Sequence, residues 1–248
     1  VIVMLREFAK FLQDQRISPE ERIVIINNRE FVVDNSGVAH EIEPINNLAK
    51  TPLEIQTLSG LVDYVQANKE RQKDHYYIRI IDERTVELSG VLDYKGRRET
   101  LVRVDAIVPR IYFNDYLDIE NLIITLQSKF VPTEDSKNIL RLAGNIKEEN
   151  VKNTGDDGVS QQVSMKTGVA TVGEVKVPNP VILAPYRTFI EVEQPESSFI
   201  FRMKNGPVGA IFEADGGAWR NSAIANIHAY LLEELGAEIE AGRITLIA

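Results

Sequence analysis

Between Asp118 and Ile146 the apolar residues recur at helical spacing, while on both sides of that block they alternate. Ile119, Leu122, Ile123, Leu126 and Phe130 follow Asp118, whose short acceptor side chain suits an N-cap. Pro132 ends that helix. Thr133 opens a second one, with Glu134 and Asp135 in its first turn and Ile139, Leu140, Leu142, Ala143 and Ile146 as its stripe. A short-linked helix pair set among strands does not fit the regular alternation of a parallel nucleotide-binding sheet. The expected class is α+β: mostly antiparallel sheet, with this central helix pair and a C-terminal helix.

The rest of the chain fills in that outline. Leu5, Phe8, Phe11 and Leu12 predict a helix over Val1 to about Gln15, and Asn27 with Asn28 joins two short apolar runs, Arg22 to Ile26 and Glu30 to Val33, as a hairpin. Thr51 and Pro52 look like the cap and first residue of a helix carrying Leu58, Leu61, Val62 and Val65 up to Lys69. Tyr76 to Ile81, Thr85 to Leu92 and Glu99 to Tyr112 read as a meander. A polar, glycine-bearing stretch at 150–158 is expected to be a loop that subdivides the main domain. Beyond it, Ser160 to Val177 and Val181 to Ala184 read as strands. Arg187 to Glu193 and Ser198 to Lys204 read as a hairpin, Val208 to Glu213 as a strand, Trp219 to Leu235 as a helix, and Arg243 to Ile247 as a last strand. The expected organisation is an N-terminal helix and hairpin segment over 1–50 and a main α+β domain over 51–248.

Composition removes several functions. The chain has no Cys, so disulfides, thiolate metal sites and cysteine nucleophiles are excluded. No apolar run approaches the roughly 18 residues of a membrane span, and the first residues, Val1 to Arg6, lack a basic n-region and an initiating Met. The expectation is a cytosolic protein, without a membrane partner, whose native chain starts a few residues earlier. A net charge of −9 repels polyanions on average, so nucleic-acid contact requires a local basic patch. There is no phosphate-binding glycine loop, and His40, His75 and His228 are too far apart to suggest a metal site; no cofactor or metal is expected.

Three constellations carry chemistry, each beside a plainer reading. Asp157 with Glu174 and Lys176 loosely resembles a magnesium nuclease, in which carboxylates hold the metal and the lysine steadies phosphate charge. Gly155 to Gly158 fits a tight turn equally well. Glu191, Glu193 and Glu196 lie beside Arg202 and Lys204 on the expected hairpin, as an acid–base pair or as cross-strand charge pairing. Residues 66–110 hold ten Lys or Arg against eight Asp or Glu. There Lys95, Arg97, Arg98 and Arg103, beside Tyr76, Tyr77 and Tyr94, offer charge plus stacking for single-stranded nucleic acid, or simply a solvated sheet face. Trp219, after Asp215, Gly216 and Gly217, is a candidate partner anchor or a core aromatic opening the last helix.

The segments Asp118 to Phe130, Gly155 to Gln161, Val175 to Pro180, Tyr186 to Val192 and Phe199 to Arg202, in that order, resemble the YfdQ-like family of uncharacterised phage and prophage proteins. The likeness runs from about Leu53 to Leu235, and the chain departs from the family in its Gly155 to Gly158 loop and its Asp215 to Trp219 segment. The resemblance implies a phage protein of early infection, acting in the cytoplasm of the infected bacterial host, and supplies no catalytic residues. With no coherent catalytic spacing, the leading expectation is a non-enzymatic homo-oligomer that assists phage DNA replication or recombination by binding single-stranded DNA or protein. The alternatives are an inhibitor or decoy of a host defence protein, a metal-dependent nuclease, and a self-assembling shell or filament protein.

Overall fold

Ile23–Ile26 (β1) and Arg29–Val33 (β2) form an antiparallel hairpin whose turn holds Asn27 at φ 51°, a left-handed backbone that asparagine tolerates. The computed structural model of the chain describes residues 6–7, 22–27, 29–34, 36–42, 48–67, 75–93, 95–145, 152–156, 161–167, 171–177, 179–204 and 208–248. The chain divides into two units, Val1–Leu48 and Ala49–Ala248. In the first, Ala39–Glu41 (β3) pairs with β2 across a turn at Asp34. The Asp34 carboxylate accepts the Ser36 hydroxyl at 2.6 Å and the Ser36 and Val38 N–H groups at 2.8 and 3.0 Å. The Ser36 hydroxyl foremost, then His40, holds it well below the usual carboxylate range. The expected helix over residues 1–15 lies outside the described residues except for Arg6 and Glu7, which are helical.

The second unit opens with Leu53–Ile55 (β4) and Leu58–Ala67 (α1), followed by Tyr76–Ile80 (β5), Thr85–Ser89 (β6) and Thr100–Asp105 (β7). Then come Leu117–Asp118 (β8), Ile119–Lys129 (α2), Phe130–Val131 (β9) and Glu134–Gly144 (α3). Next are Lys152–Asp156 (β10), Gln161–Thr167 (β11), Thr171–Val177 (β12), Val181–Pro185 (β13), Ser197–Lys204 (β14) and Val208–Glu213 (β15). Trp219–Glu234 (α4), Gly236–Glu240 (α5) and Ile244–Ile247 (β16) complete it. The α+β class is as expected, with antiparallel pairing throughout except at β16 with β5 and β4 with β7, which are parallel.

One five-stranded sheet runs β16-β5-β6-β7-β4. On β5, Tyr76, Ile78 and Ile80 are buried while Tyr77 and Arg79 are half-buried, the period-2 signature of a sheet with one covered face. Leu58, Leu61, Val62 and Val65 of α1 and Ile227 and Leu231 of α4 join the covered face in one core. A second sheet runs β8-β15-β14-β13-β9. There Phe199, Phe201 and Met203 alternate inward from β14 to meet Leu122 and Leu126 of α2 and Ile139 and Leu142 of α3. A third sheet has the order β10-β11-β12.

Caps set the helix starts. Asp118 Oδ1 accepts the Asn121 N–H at 2.8 Å, and Thr133 and Ser136 exchange side-chain and backbone bonds as a capping box. Before α4, Gly216 and Gly217 take φ 62° and 85°, which turns the chain so that Asp215 accepts the N–H groups of Gly217 and Trp219 at 3.0 and 3.2 Å.

Four sequence expectations are corrected. Thr51 and Pro52 do not open α1: Leu53–Ile55 pairs with β7 as an edge strand, and Thr57 Oγ1 accepts the Gly60 N–H at 3.2 Å where the helix begins. The stretch at 150–158 includes strand β10, with an irregular step between Asn153 and Gly155. The expected strand Ser160 to Val177 is two antiparallel strands instead, β11 and β12. Arg187 to Glu193 is not a strand, because β14 pairs with β13 and β15 instead. The 186–196 segment is an irregular link held by one side chain. Gln194 Oε1 accepts the N–H groups of Arg187 and Thr188 at 3.0 and 3.3 Å, and its Nε2 donates to the carbonyls of Phe189 and Val192 at 2.8 and 3.2 Å.

Candidate nucleic-acid interface

The face of the first sheet opposite α1 and α4 brings together two of the four basic residues singled out from sequence, Arg98 and Arg103. Register aligns Arg79 on β5 with Glu87 on β6, and Glu87 with Arg103 on β7. Arg79 Nη2 donates to Glu87 Oε2 at 2.7 Å and Arg103 Nη1 donates to Glu87 Oε1 at 2.9 Å, so one carboxylate bridges two guanidiniums. Arg103 also donates through Nε and Nη2 to both oxygens of Asp105, at 2.8 and 3.2 Å. That bidentate bond holds the Asp105 carboxyl below its usual range, with help from the Thr85 hydroxyl at 3.0 Å, and raises the Arg103 guanidinium above its own. The Arg79 and Arg103 side chains remain 42% and 41% exposed.

One step along β5 from Arg79, the Arg98 guanidinium stacks 4.7 Å from the centroid of the Tyr77 ring and donates through Nη1 to the Gly90 carbonyl at 2.6 Å. His75 meets the same ring edge-on at 5.1 Å. Its Nδ1 donates to the Gly242 carbonyl at 2.7 Å and its Nε2 lies 2.9 Å from the Thr245 hydroxyl. The β-turn beyond β6 is organised by Asp93, which accepts the N–H groups of Lys95 and Arg97 at 2.8 and 2.7 Å and the Arg97 Nε at 2.8 Å. Burial pushes the Asp93 carboxyl up, but the bonds from Arg97 and Lys95 outweigh it and leave it below its ordinary value.

The structure thus brings Arg98 and Arg103 to one face with Tyr77, and adds Arg79, which sequence reasoning had not singled out. It sets Arg97 and Lys95 in an adjacent turn. Tyr76 points into the core, and Tyr94 lies outside the described residues. A stack of ring and guanidinium beside two half-exposed arginines can hold bases and phosphates; Glu87 and Asp105 offset much of the positive charge.

The other candidates fall elsewhere. Glu174 and Lys176 lie on β12, in register with Ser164 and Gln162 on β11, while Asp157 lies outside the described residues. Glu191 does not pair across a hairpin: its Oε1 accepts the Ser59 N–H and hydroxyl at 3.0 and 3.1 Å, at the start of α1, where a carboxylate suits the helix dipole. Lys204 sits 3.7 Å over the Tyr116 ring. Among the described residues no group of three or more acidic or histidine side chains could hold a metal ion, and no helix is long and apolar enough to cross a membrane.

Trp219 is 4% exposed, so it presents no open face to a partner; its ring lies against Arg187, whose guanidinium is 3.9 Å from the centroid. Sequence reasoning missed Arg187, having placed it on a strand. The residue is 3% exposed, donates through Nη1 to Glu213 at 3.1 Å, and bonds to the Ser197 hydroxyl and the Pro195 carbonyl through Nη2. Burial pushes its guanidinium down to about 10, against the pull of Glu213 and Asp215. Arg187 therefore fastens β14, β15 and α4 together as a buried strut. Comparison of the chain with protein-family models, with curated proteins and with solved structures returns no match.

Proposed function

We propose that the chain is a phage accessory protein of early infection, acting in the host cytoplasm as a homo-oligomer that assists DNA replication or recombination by binding single-stranded nucleic acid. The observation that carries this reading is the Tyr77–Arg98 stack on the sheet face opposite α1 and α4, flanked by the half-exposed Arg79 and Arg103. Base stacking on aromatic and guanidinium planes tolerates any sequence, as an accessory to replication requires. The resemblance in order of segments between Asp118 and Arg202 supports the phage origin.

Fluorescence anisotropy with a labelled oligothymidylate tests it. Binding is expected to weaken steeply between about 50 and about 200 mM salt, as counterions are no longer released into dilute solution. Tyr77→Ala is expected to raise the dissociation constant about tenfold, the loss of one stacked base. No binding at low salt, or binding indifferent to Tyr77→Ala and Arg98→Ala, overturns the reading.

A second reading, an inhibitor of a host protein, draws on the pairing itself. The row Arg79, Glu87, Arg103 presents alternating signs with their partners in place, which suits a complementary protein surface better than a polyanion. Retention of a host protein that is lost with Glu87→Ala, in a chain that binds no oligonucleotide, supports this second reading.

A further inference from the structure

In the first unit β1 is an edge strand, since the sheet order is β1-β2-β3. Its residues are Ile23, Val24, Ile25 and Ile26, and they are 50%, 38%, 66% and 51% exposed. Proteins ordinarily blunt such an edge with charge, proline or a bulge. β1 carries none of these, whereas the opposite edge, β3, ends on Glu41.

The hydrogen-bond phase shows which backbone groups face outward. The Val33 N–H donates to the Arg22 carbonyl at 2.8 Å, and bonded and non-bonded pairs alternate along an antiparallel ladder. Val24 with Phe31 and Ile26 with Arg29 are therefore the bonded pairs, and Ile23 and Ile25 turn their N–H and C=O groups to the open edge. The Ile42 N–H, which donates to the Glu30 carbonyl at 2.7 Å, gives the same phase from the other side of β2.

This phase makes β1 complementary to itself. In an antiparallel register centred on Val24, Ile23 faces Ile25 of a second copy and Ile25 faces its Ile23, so every outward group of both residues finds a partner. A two-fold axis perpendicular to the sheet relates the copies, and each face stays a continuous face. Centring on Ile25 would instead run Ile23 against Asn27, which is already in the turn. Charge selects the same place: at net −9 two copies repel, and an edge strand without a charged side chain lets them meet without opposing like charges.

We propose that the chain dimerises by antiparallel pairing of β1 with β1 of a second copy, giving one sheet ordered β3-β2-β1-β1-β2-β3. Across the junction Ile23, Ile25 and Val32 of both copies form one apolar strip. Two short strands bury less than the roughly 1,200–2,000 Å² of a standard interface, so the dimer dissociates on dilution. The inference is independent of nucleic-acid binding, which uses the second unit.

Because the chain has no Cys, a single introduced one reports on register. In the Val24-centred pairing the two Val24 residues oppose each other at a non-bonded position, about 4.5 Å between Cα atoms, within disulfide reach. Val24→Cys is expected to give an oxidised dimer on a non-reducing gel, and Ile26→Cys, which faces Arg22 of the other copy, is not. By light scattering over about 1 to about 200 µM, the mass is expected to rise from 27.9 kDa toward twice that value. Ile25→Pro removes an outward N–H that β2 does not use and should raise the dissociation constant at least about tenfold. Ile25→Lys, which leaves the backbone intact, should do the same and carries the test if the proline variant misfolds. A monomer at every concentration, equal crosslinking of Val24→Cys and Ile26→Cys, or an oligomer that survives both Ile25 variants overturns the proposal.

Discussion

At Gly209, on β15, a side chain of α2 packs directly against the backbone of the second sheet. A Cβ there would stand 2.9 Å from Leu122 Cδ2 and 3.1 Å from Phe201 Cε2, and both neighbours are buried. Neither can move aside without shifting others in a close-packed interior. Gly209→Ala is therefore expected to destabilise the fold by about 1–3 kcal/mol, seen as a lower urea midpoint at unchanged slope. Gly236, which opens α5, has open space at the same position, so Gly236→Ala should be neutral or stabilising by up to about 1 kcal/mol. The two substitutions add the same methyl, one into a packed strand and one into open space at a helix start.

At the scale of elements, the cap of α2 gives the fold a pH dependence. The backbone N–H of Asn121 foremost, then its side chain, holds the Asp118 carboxyl below the ordinary 3.8. A carboxyl lowered in the fold contributes stability above its unfolded value and loses it as the pH falls through that value toward the folded one. Asp118→Asn keeps a capping oxygen but has no charge to lose. Below about pH 4 the melting temperature of the parent chain should fall more steeply than that of the variant, followed by circular dichroism. This cap, the helix start at Thr133, the β1–β2 turn at Asn27 and the β5–β7 meander were all legible in the sequence, because each depends on residues close along the chain. The 186–196 link was not: Arg187 to Glu193 has the composition of a strand, and only the fold reveals that Gln194 occupies its amides and carbonyls. The site was legible by halves. Arg98, Arg103 and Tyr77 were named from composition, but Arg79 and the neutralising contacts of Glu87 and Asp105 depend on strand register, which no local pattern specifies.

At the scale of the second unit, the same link joins two cores. Phe189 and Val192 enter the core beneath the first sheet, Arg187 is buried against β14 and β15, and Thr188 Oγ1 donates to the Glu83 carbonyl at 2.5 Å. Arg84 Nε donates to the Arg187 carbonyl at 3.2 Å, so contacts run in both directions. Gln194→Ala leaves several buried backbone groups without partners and should cost about 3 kcal/mol. Because the loss falls on the connection, calorimetry should also show the second unit, expected to unfold in one transition in the parent chain, unfolding in two.

The order of strands has a further meaning for a chain emerging from a ribosome. β4 and β16, the two parallel members of the first sheet, stand at its opposite edges, and nearly two hundred residues separate them along the chain. The second sheet needs nothing beyond β15, so it can close while the first still waits for Ile244 to Ile247. Until those residues are made, β5 offers an unpaired side, and a nascent chain stalled there would present that side to chaperones and to its neighbours on the same message.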